Sequence, residues 1–184
     1  MKTDVTRVLI EEHQLILRMI TLVEQNTALM EQGRSRDWQF FLDAVDFIRN
    51  YADRFHHAKE EDVLFVALVA NGMPEKQSPI EAMHIEHEQG RAHVRAMEAA
   101  AHKALAGEGG QIPVIAAHAK GYAQLLRGHI DKEDQILYPL AERVLPEEVR
   151  PAMLAAYGAA AAKTPGLEEK YRRRVEEYER RLAA

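Results

Sequence analysis

Ten residues late in the chain, His129-Ile130-Asp131-Lys132-Glu133-Asp134-Gln135-Ile136-Leu137-Tyr138, echo ten from its first half, His56-His57-Ala58-Lys59-Glu60-Glu61-Asp62-Val63-Leu64-Phe65. Both read H-x-x-K-E-acid-x-(Val/Ile)-Leu-aromatic, with a histidine and a glutamate four residues apart. On a helix that spacing places imidazole and carboxylate one turn apart on one face. A second echo lies upstream of each copy, Leu9-Ile10-Glu11-Glu12-His13 and Met83-His84-Ile85-Glu86-His87. His13 precedes His56 by 43 residues and His87 precedes His129 by 42. The chain therefore reads as two similar helical hairpins, each bringing one lone histidine and one His/Glu pair.

Composition narrows the chemistry. The 184 residues suffice for one domain with a proper core, and 24 Lys and Arg against 29 Asp and Glu give a formal charge of -5. That balance makes no case for nucleic acid or an anionic membrane. With no cysteine, thiolate sites are excluded, so any metal is held by nitrogen and oxygen. The first residues carry no apolar leader, and the longest apolar run, Val63 to Ala70, is too short to span a bilayer. A cytoplasmic protein is the expectation.

Apolar spacing predicts helices over Asp4 to Met30, Asp37 to Ala70, Ser78 to Ala106 and Ile112 to Val144. Asn71-Gly72-Met73-Pro74 should close the second, and a capping box at Ser78-Pro79-Ile80-Glu81 should open the third. Pro139 predicts a kink or an early end in the fourth. Residues 1–144 are expected to form the bundle. Residues 145–184 are expected to form a helical extension, with Tyr171, Val175, Tyr178 and Leu182 at 4-3-4 spacing, which packs on the bundle or mediates a homodimer.

At 100° per residue, His13 falls on the inward stripe of the first helix. His56 and Glu60 share a face with Val45, Ala52, Val63 and Ala67, and His129 and Glu133 with Ile115, Tyr122, Leu125, Ile136 and Leu140. His87 lies with Ile80, Met83 and Val94. The same wheel puts His57 and Glu61 on a solvent face beside Asp46, Asn50 and Asp53, either exposed or supporting the ligands from outside, and His84 on a polar flank. These three are kept as supplementary ligand candidates, with His84 also a candidate proton shuttle. Tyr122 is expected in the core or along an access path, and His93 and His102 at the surface. His118 is too far along the helix to join His129.

Two carboxylates and four imidazoles on inward faces cost several kcal/mol per unpaired charge unless cations neutralise them. Two carboxylates able to bridge make room for two metals, the arrangement of bundle-core metal sites. About eight of roughly twelve octahedral positions would be filled, leaving room for a small exogenous ligand. Imidazole with carboxylate suits iron best, with manganese and zinc as alternatives.

These motifs resemble the haemerythrin-like (HHE cation-binding) family: E-H at 12–13, H-H-x-K-E-E at 56–61, E-H at 86–87, and H-I-x-K-E-D with L-Y-P at 129–139. The resemblance covers about residues 4 to 144. It implies an all-α, antiparallel up-down four-helix bundle around two iron ions in an Fe–O–Fe type centre. By position, it implies His13, His56, Glu60, His87, His129 and Glu133 as ligands, with the two glutamates bridging. The fifth histidine of the oxygen-carrying members is missing, and the set lies closer to the di-iron proteins of iron-sulfur cluster repair, without their cysteine-bearing region.

The leading expectation is a di-iron protein that binds dioxygen, nitric oxide or peroxide in sensing, scavenging or iron handling. The alternatives are a di-iron oxidase, peroxidase or cluster-repair protein, and a metal-free helical interaction protein whose histidines are structural.

Overall fold

The structure is a computed structural model that describes residues 3–183. Six helices account for most of these residues: α1 (Arg7–Glu31), α2 (38–70), α3 (Pro79–Leu105), α4 (112–144), α5 (Arg150–Ala162) and α6 (Leu167–Ala183). A short 3₁₀ turn, Glu147–Val149, precedes α5. The described residues contain no strand, and none of their helices is long and apolar enough to cross a membrane.

Local chemistry sets the helix ends. Gly33 and Gly72, at φ 73° and 94°, terminate α1 and α2 in the left-handed region that glycine enters without steric cost. At each end the next residue's N–H reaches back to a carbonyl of the last turn, Arg34 to Leu29 (2.9 Å) and Met73 to Leu68 (3.0 Å). Asp37 caps α2 by accepting from the Phe40 N–H (3.0 Å). Ser78 caps α3 by accepting from Glu81, but the reciprocal arm of the expected box lands one residue early. The Glu81 carboxylate accepts from the Gln77 N–H (2.6 Å), with Gln77 at positive φ.

Helices α2 and α4 are not uniformly wound. Ile48–His57 and Glu60–Leu64 in α2, and Glu133–Leu137 in α4, are π-helical. Glu60–Leu64 and Glu133–Leu137 are the same positions of the repeated motif, so each carboxylate starts a π turn. The wider winding corrects the faces expected beyond it. Ile136, expected inside, is exposed and Leu140 only half-buried, while Leu137 and Tyr138 are buried. In the first copy Val63 and Ala67 are half-buried, and Leu64, Phe65 and Leu68 take the core. Nor does α4 end at Pro139. It continues to Val144, with Pro139 in the first turn after the π segment.

The core consists of two apolar clusters with a polar layer between them. One gathers residues such as Ile16, Val23, Phe40, Tyr51, Met97, Ile115 and Leu126. The other gathers Leu9, Leu64, Leu68, Ile80, Met83, Leu137 and Ala141. Each of α1 to α4 runs from one cluster to the other, and the sense alternates from helix to helix. Pairing between α2 and α3 has the same register: Arg49 with Glu98, Asp53 with Arg91, Glu61 with His87.

The last two helices cover the clusters. Tyr171, Val175 and Tyr178 of α6 are buried in the first, with Tyr178 Oη donating to Asp43 (2.6 Å) and Arg18 holding Glu179 (2.7 Å). Met153 and Tyr157 of α5 join the second. Beside them the fully buried Arg150 guanidinium donates to the carbonyls of Thr3, Glu142 and Leu145 and to the Glu142 carboxylate. Arg150→Ala should cost about 3 kcal/mol, since it strands buried acceptors and removes the packed stem. Urea denaturation of the variant against wild type measures this.

Candidate metal centre

The polar layer holds His13 from α1, His56, His57 and Glu60 from α2, His87 from α3, and His129 and Glu133 from α4, all buried. Imidazoles meet in two pairs, His13 Nε2 to His56 Nε2 at 2.9 Å and His87 Nε2 to His129 Nε2 at 3.0 Å. Each carboxylate stands between the pairs. Glu133 lies 3.2 Å from His129 Nε2 and 3.4 Å from His13 Nε2, and Glu60 lies 3.6 Å from His87 Nε2 and 3.8 Å from His56 Nε2. The six residues expected at the centre are thus brought together in one closed ring.

All four Nδ1 atoms face outward onto carboxylates. His13 donates to Asp134 (2.8 Å), His56 to Glu12 (2.9 Å), His87 to Glu61 (2.6 Å) and His129 to Glu86 (2.9 Å). Lys59 and Lys132 in turn hold Glu12 and Glu86. The two copies of the motif therefore build the same chain of lysine, glutamate and imidazole. Such a carboxylate fixes the Nδ1–H tautomer and leaves the Nε2 lone pair for a cation.

The electrostatics follow from this ring without any cation. His129 is pushed up to about 9: burial opposes its charge, but Glu133 and Glu86 outweigh it. His13 is raised in the same way, with burial outweighed by Asp134 and Glu133. Burial and the charge of its partner hold His56 well below the ordinary range, and burial lowers His87. In each pair the facing Nε2 atoms stand in hydrogen-bond contact, one imidazole raised and the other lowered. Burial and the nearby Glu133 push Glu60 well above the carboxylate range, whereas Glu133 is held well below it, burial being overcome by His129 and His13.

The donor set fits cations. Glu60 Oε2 and both oxygens of Glu133 are buried without a hydrogen-bond partner, and they face the imidazole Nε2 atoms. Two groupings have ligand atoms close enough to hold one ion each: His13, His56, Glu60 and Glu133, and His57, Glu60, His87 and His129. Glu60 belongs to both.

His57 corrects the solvent face assigned to it. Its ring stacks on His87 with centroids 3.8 Å apart, and its Nδ1 has no hydrogen-bond partner, Asp53 standing 3.6 Å away. The π winding of Ile48–His57 turns this residue inward. A signal for it was present, because the repeat aligns His57 with the apolar Ile130, which is also buried. Glu61 is half-buried rather than solvated, held by Arg91 and His87 and brought down to about 2, with burial overcome by those two partners. Glu61 and His84 form a further grouping with His87, and His84 meets Phe65 edge-on at 5.2 Å.

Tyr138 was missed as a site residue. Its hydroxyl donates to Glu60 Oε1 (2.5 Å) and lies 3.4 Å from His13 Nε2. The repeat places Phe65 opposite it, so only one half of the centre has the phenol. Away from the centre, His93 is half-buried against His118 (Nδ1 to Nδ1, 3.1 Å).

A helical protein that gathers buried imidazoles and carboxylates from four helices, each imidazole oriented by its own acid, is a histidine/carboxylate cation-binding protein in class. The family model described as the hemerythrin HHE cation binding domain matches residues 4–141, and the chain belongs to that family. No curated protein and no solved structure gave a match.

Proposed function

We propose that the chain is a non-haem di-iron protein that binds a small ligand, dioxygen, nitric oxide or peroxide, in sensing, scavenging or iron handling. The observation that carries this reading is the closed ring: each of two buried carboxylates lies between imidazoles of opposite halves, its oxygens otherwise unpartnered. The alternating passage of α1 to α4 between the two apolar clusters supports an antiparallel up-down four-helix bundle as its frame.

In this reading His13, His56, His87 and His129 would hold the ions through Nε2 together with Glu60 and Glu133, and His57 would add a nitrogen on one side only. The bound pair would supply Lewis acidity and one-electron redox chemistry. Glu61, already occupied by Arg91, orients His87 rather than serving as a ligand. The Tyr138 hydroxyl holds a proton at Glu60 Oε1, which makes the half containing His13 chemically distinct from the half containing His57.

The iron-loaded protein should give an altered, reversible absorption spectrum with one of the three ligands. Sustained consumption of peroxide or dioxygen over many turnovers would instead establish the oxidase or peroxidase reading. Glu12→Gln and Glu86→Gln should each weaken metal affinity about 10- to 100-fold by loosening His56 and His129. Competition with a coloured chelator measures that loss.

A further inference from the structure

A cavity of about 230 Å³ opens between α2, α3 and α4 and ends on His57, His87 and His129. Its mouth includes the exposed Arg54 and Arg95, so it joins the surface to one half of the centre.

The space is larger than a diatomic needs. A protein cavity of about 150 Å³ holds benzene, so this one has room for a substituted ring. Ile48, Val94, Leu125 and Leu126 give it apolar walls, and Gly90 leaves the floor of α3 low. Two buried polar atoms on its lining, Tyr122 Oη and His57 Nδ1, have no hydrogen-bond partner. An unsatisfied buried hydroxyl is destabilising, a penalty a ligand would relieve.

The rim is cationic. Four arginines, Arg49, Arg54, Arg91 and Arg95, stand against two carboxylates, Asp53 and Glu86. Glu98 neutralises Arg49, and Asp53, Glu61 and Glu88 neutralise Arg91. Glu86 is taken up by His129 and Lys132. Among the described residues no carboxylate lies within salt-bridge distance of Arg54, whose one hydrogen bond is to Asn50, or of Arg95. Two guanidiniums at the mouth are therefore available to an anion.

We propose that this cavity binds a small aromatic monocarboxylate with a hydroxyl on the far side of the ring. The carboxylate sits at Arg54 and Arg95, the ring lies against the apolar walls, and the hydroxyl pairs with Tyr122 and His57 beside the metal centre. The proposal names the occupant of the space next to the proposed centre. It rests on that reading only for what lies beyond His57.

Saturation-transfer NMR with 4-hydroxybenzoate, phenol and benzoate tests it, on the protein as purified and after chelator treatment, with metal content measured on the same samples. The expected result is saturable binding of 4-hydroxybenzoate at least tenfold tighter than phenol. The double variant Arg54→Glu/Arg95→Glu, both exposed sites, should abolish that difference, and Val94→Phe should block all three probes. Tyr122→Phe should bring 4-hydroxybenzoate down to the level of benzoate. Equal binding of phenol and 4-hydroxybenzoate, or charge reversal without effect, overturns the proposal. Binding of 4-hydroxybenzoate by a protein that takes up no iron would refute the di-iron reading and keep the site, whereas an iron-loaded protein that ignores the probe would do the reverse.

Discussion

Glutamine at position 60 should leave the metal-stripped chain as stable as before, within about 1 kcal/mol, while weakening metal binding by more than about 100-fold. The reason is that, without cations, burial and Glu133 raise Glu60 well above the ordinary glutamate value of 4.5, which favours its neutral form. A neutral isostere then changes little, and its carbonyl still accepts from Tyr138. Once cations bind, the carboxylate must ionise and serve both groupings, which an amide does poorly. Glu133→Gln should behave oppositely in the stripped chain. Glu133 carries the charge that balances His129, so its neutralisation leaves a buried imidazolium and costs about 3–5 kcal/mol. A pH series adds a check of sign. A folded-state value raised above 4.5 means the folded chain binds the Glu60 proton more tightly than the unfolded one. This contribution is fully present below pH 4.5 and is lost as pH rises toward the folded value. Glu60→Gln should remove that part of the slope, and equal slopes in the two proteins would count against a raised Glu60.

Chelation should have the largest effect on stability. A cation held at a thousand times its dissociation constant stabilises the folded state by about 4 kcal/mol, so two amount to about 8 kcal/mol. At about 2–4 °C per kcal/mol for a chain of this size, melting of the stripped protein should fall by about 15–30 °C. The loss should be restored by iron and blunted in Glu60→Gln. A melting point indifferent to chelator in a protein shown to contain metal would mean that the ring is stable by itself.

The centre was legible in the sequence wherever α-helical phase held. His13, in the regular part of α1, follows a 3.6-residue stripe, and His87 does the same in α3. His56, Glu60, His129 and Glu133 were found by the wheel and independently by the repeat, which fixes them without reference to phase. Beyond each glutamate the phase fails, and Ile136 and Val63 were misplaced for that reason, since a π turn is set by tertiary demands and leaves no propensity signal. His57 was misplaced by the same winding, although its alignment with Ile130 marked the position as inward. The acids on Nδ1 were harder. Asp134 reaches His13 and Glu61 reaches His87 across helices, and spacing along one helix cannot show this. Tyr138 stayed hidden because its aromatic partner in the repeat, Phe65, suggested packing rather than a hydroxyl aimed at Glu60.

Anaerobic titration of iron(II) into the stripped protein, in weak buffer with a pH indicator, is the most direct test of a paired-cation centre. The predicted endpoint is two equivalents per chain. Proton release should accompany it, with His129, pushed up to about 9 in the empty ring, as one source. An endpoint at one equivalent, or no saturable uptake at all, would contradict it.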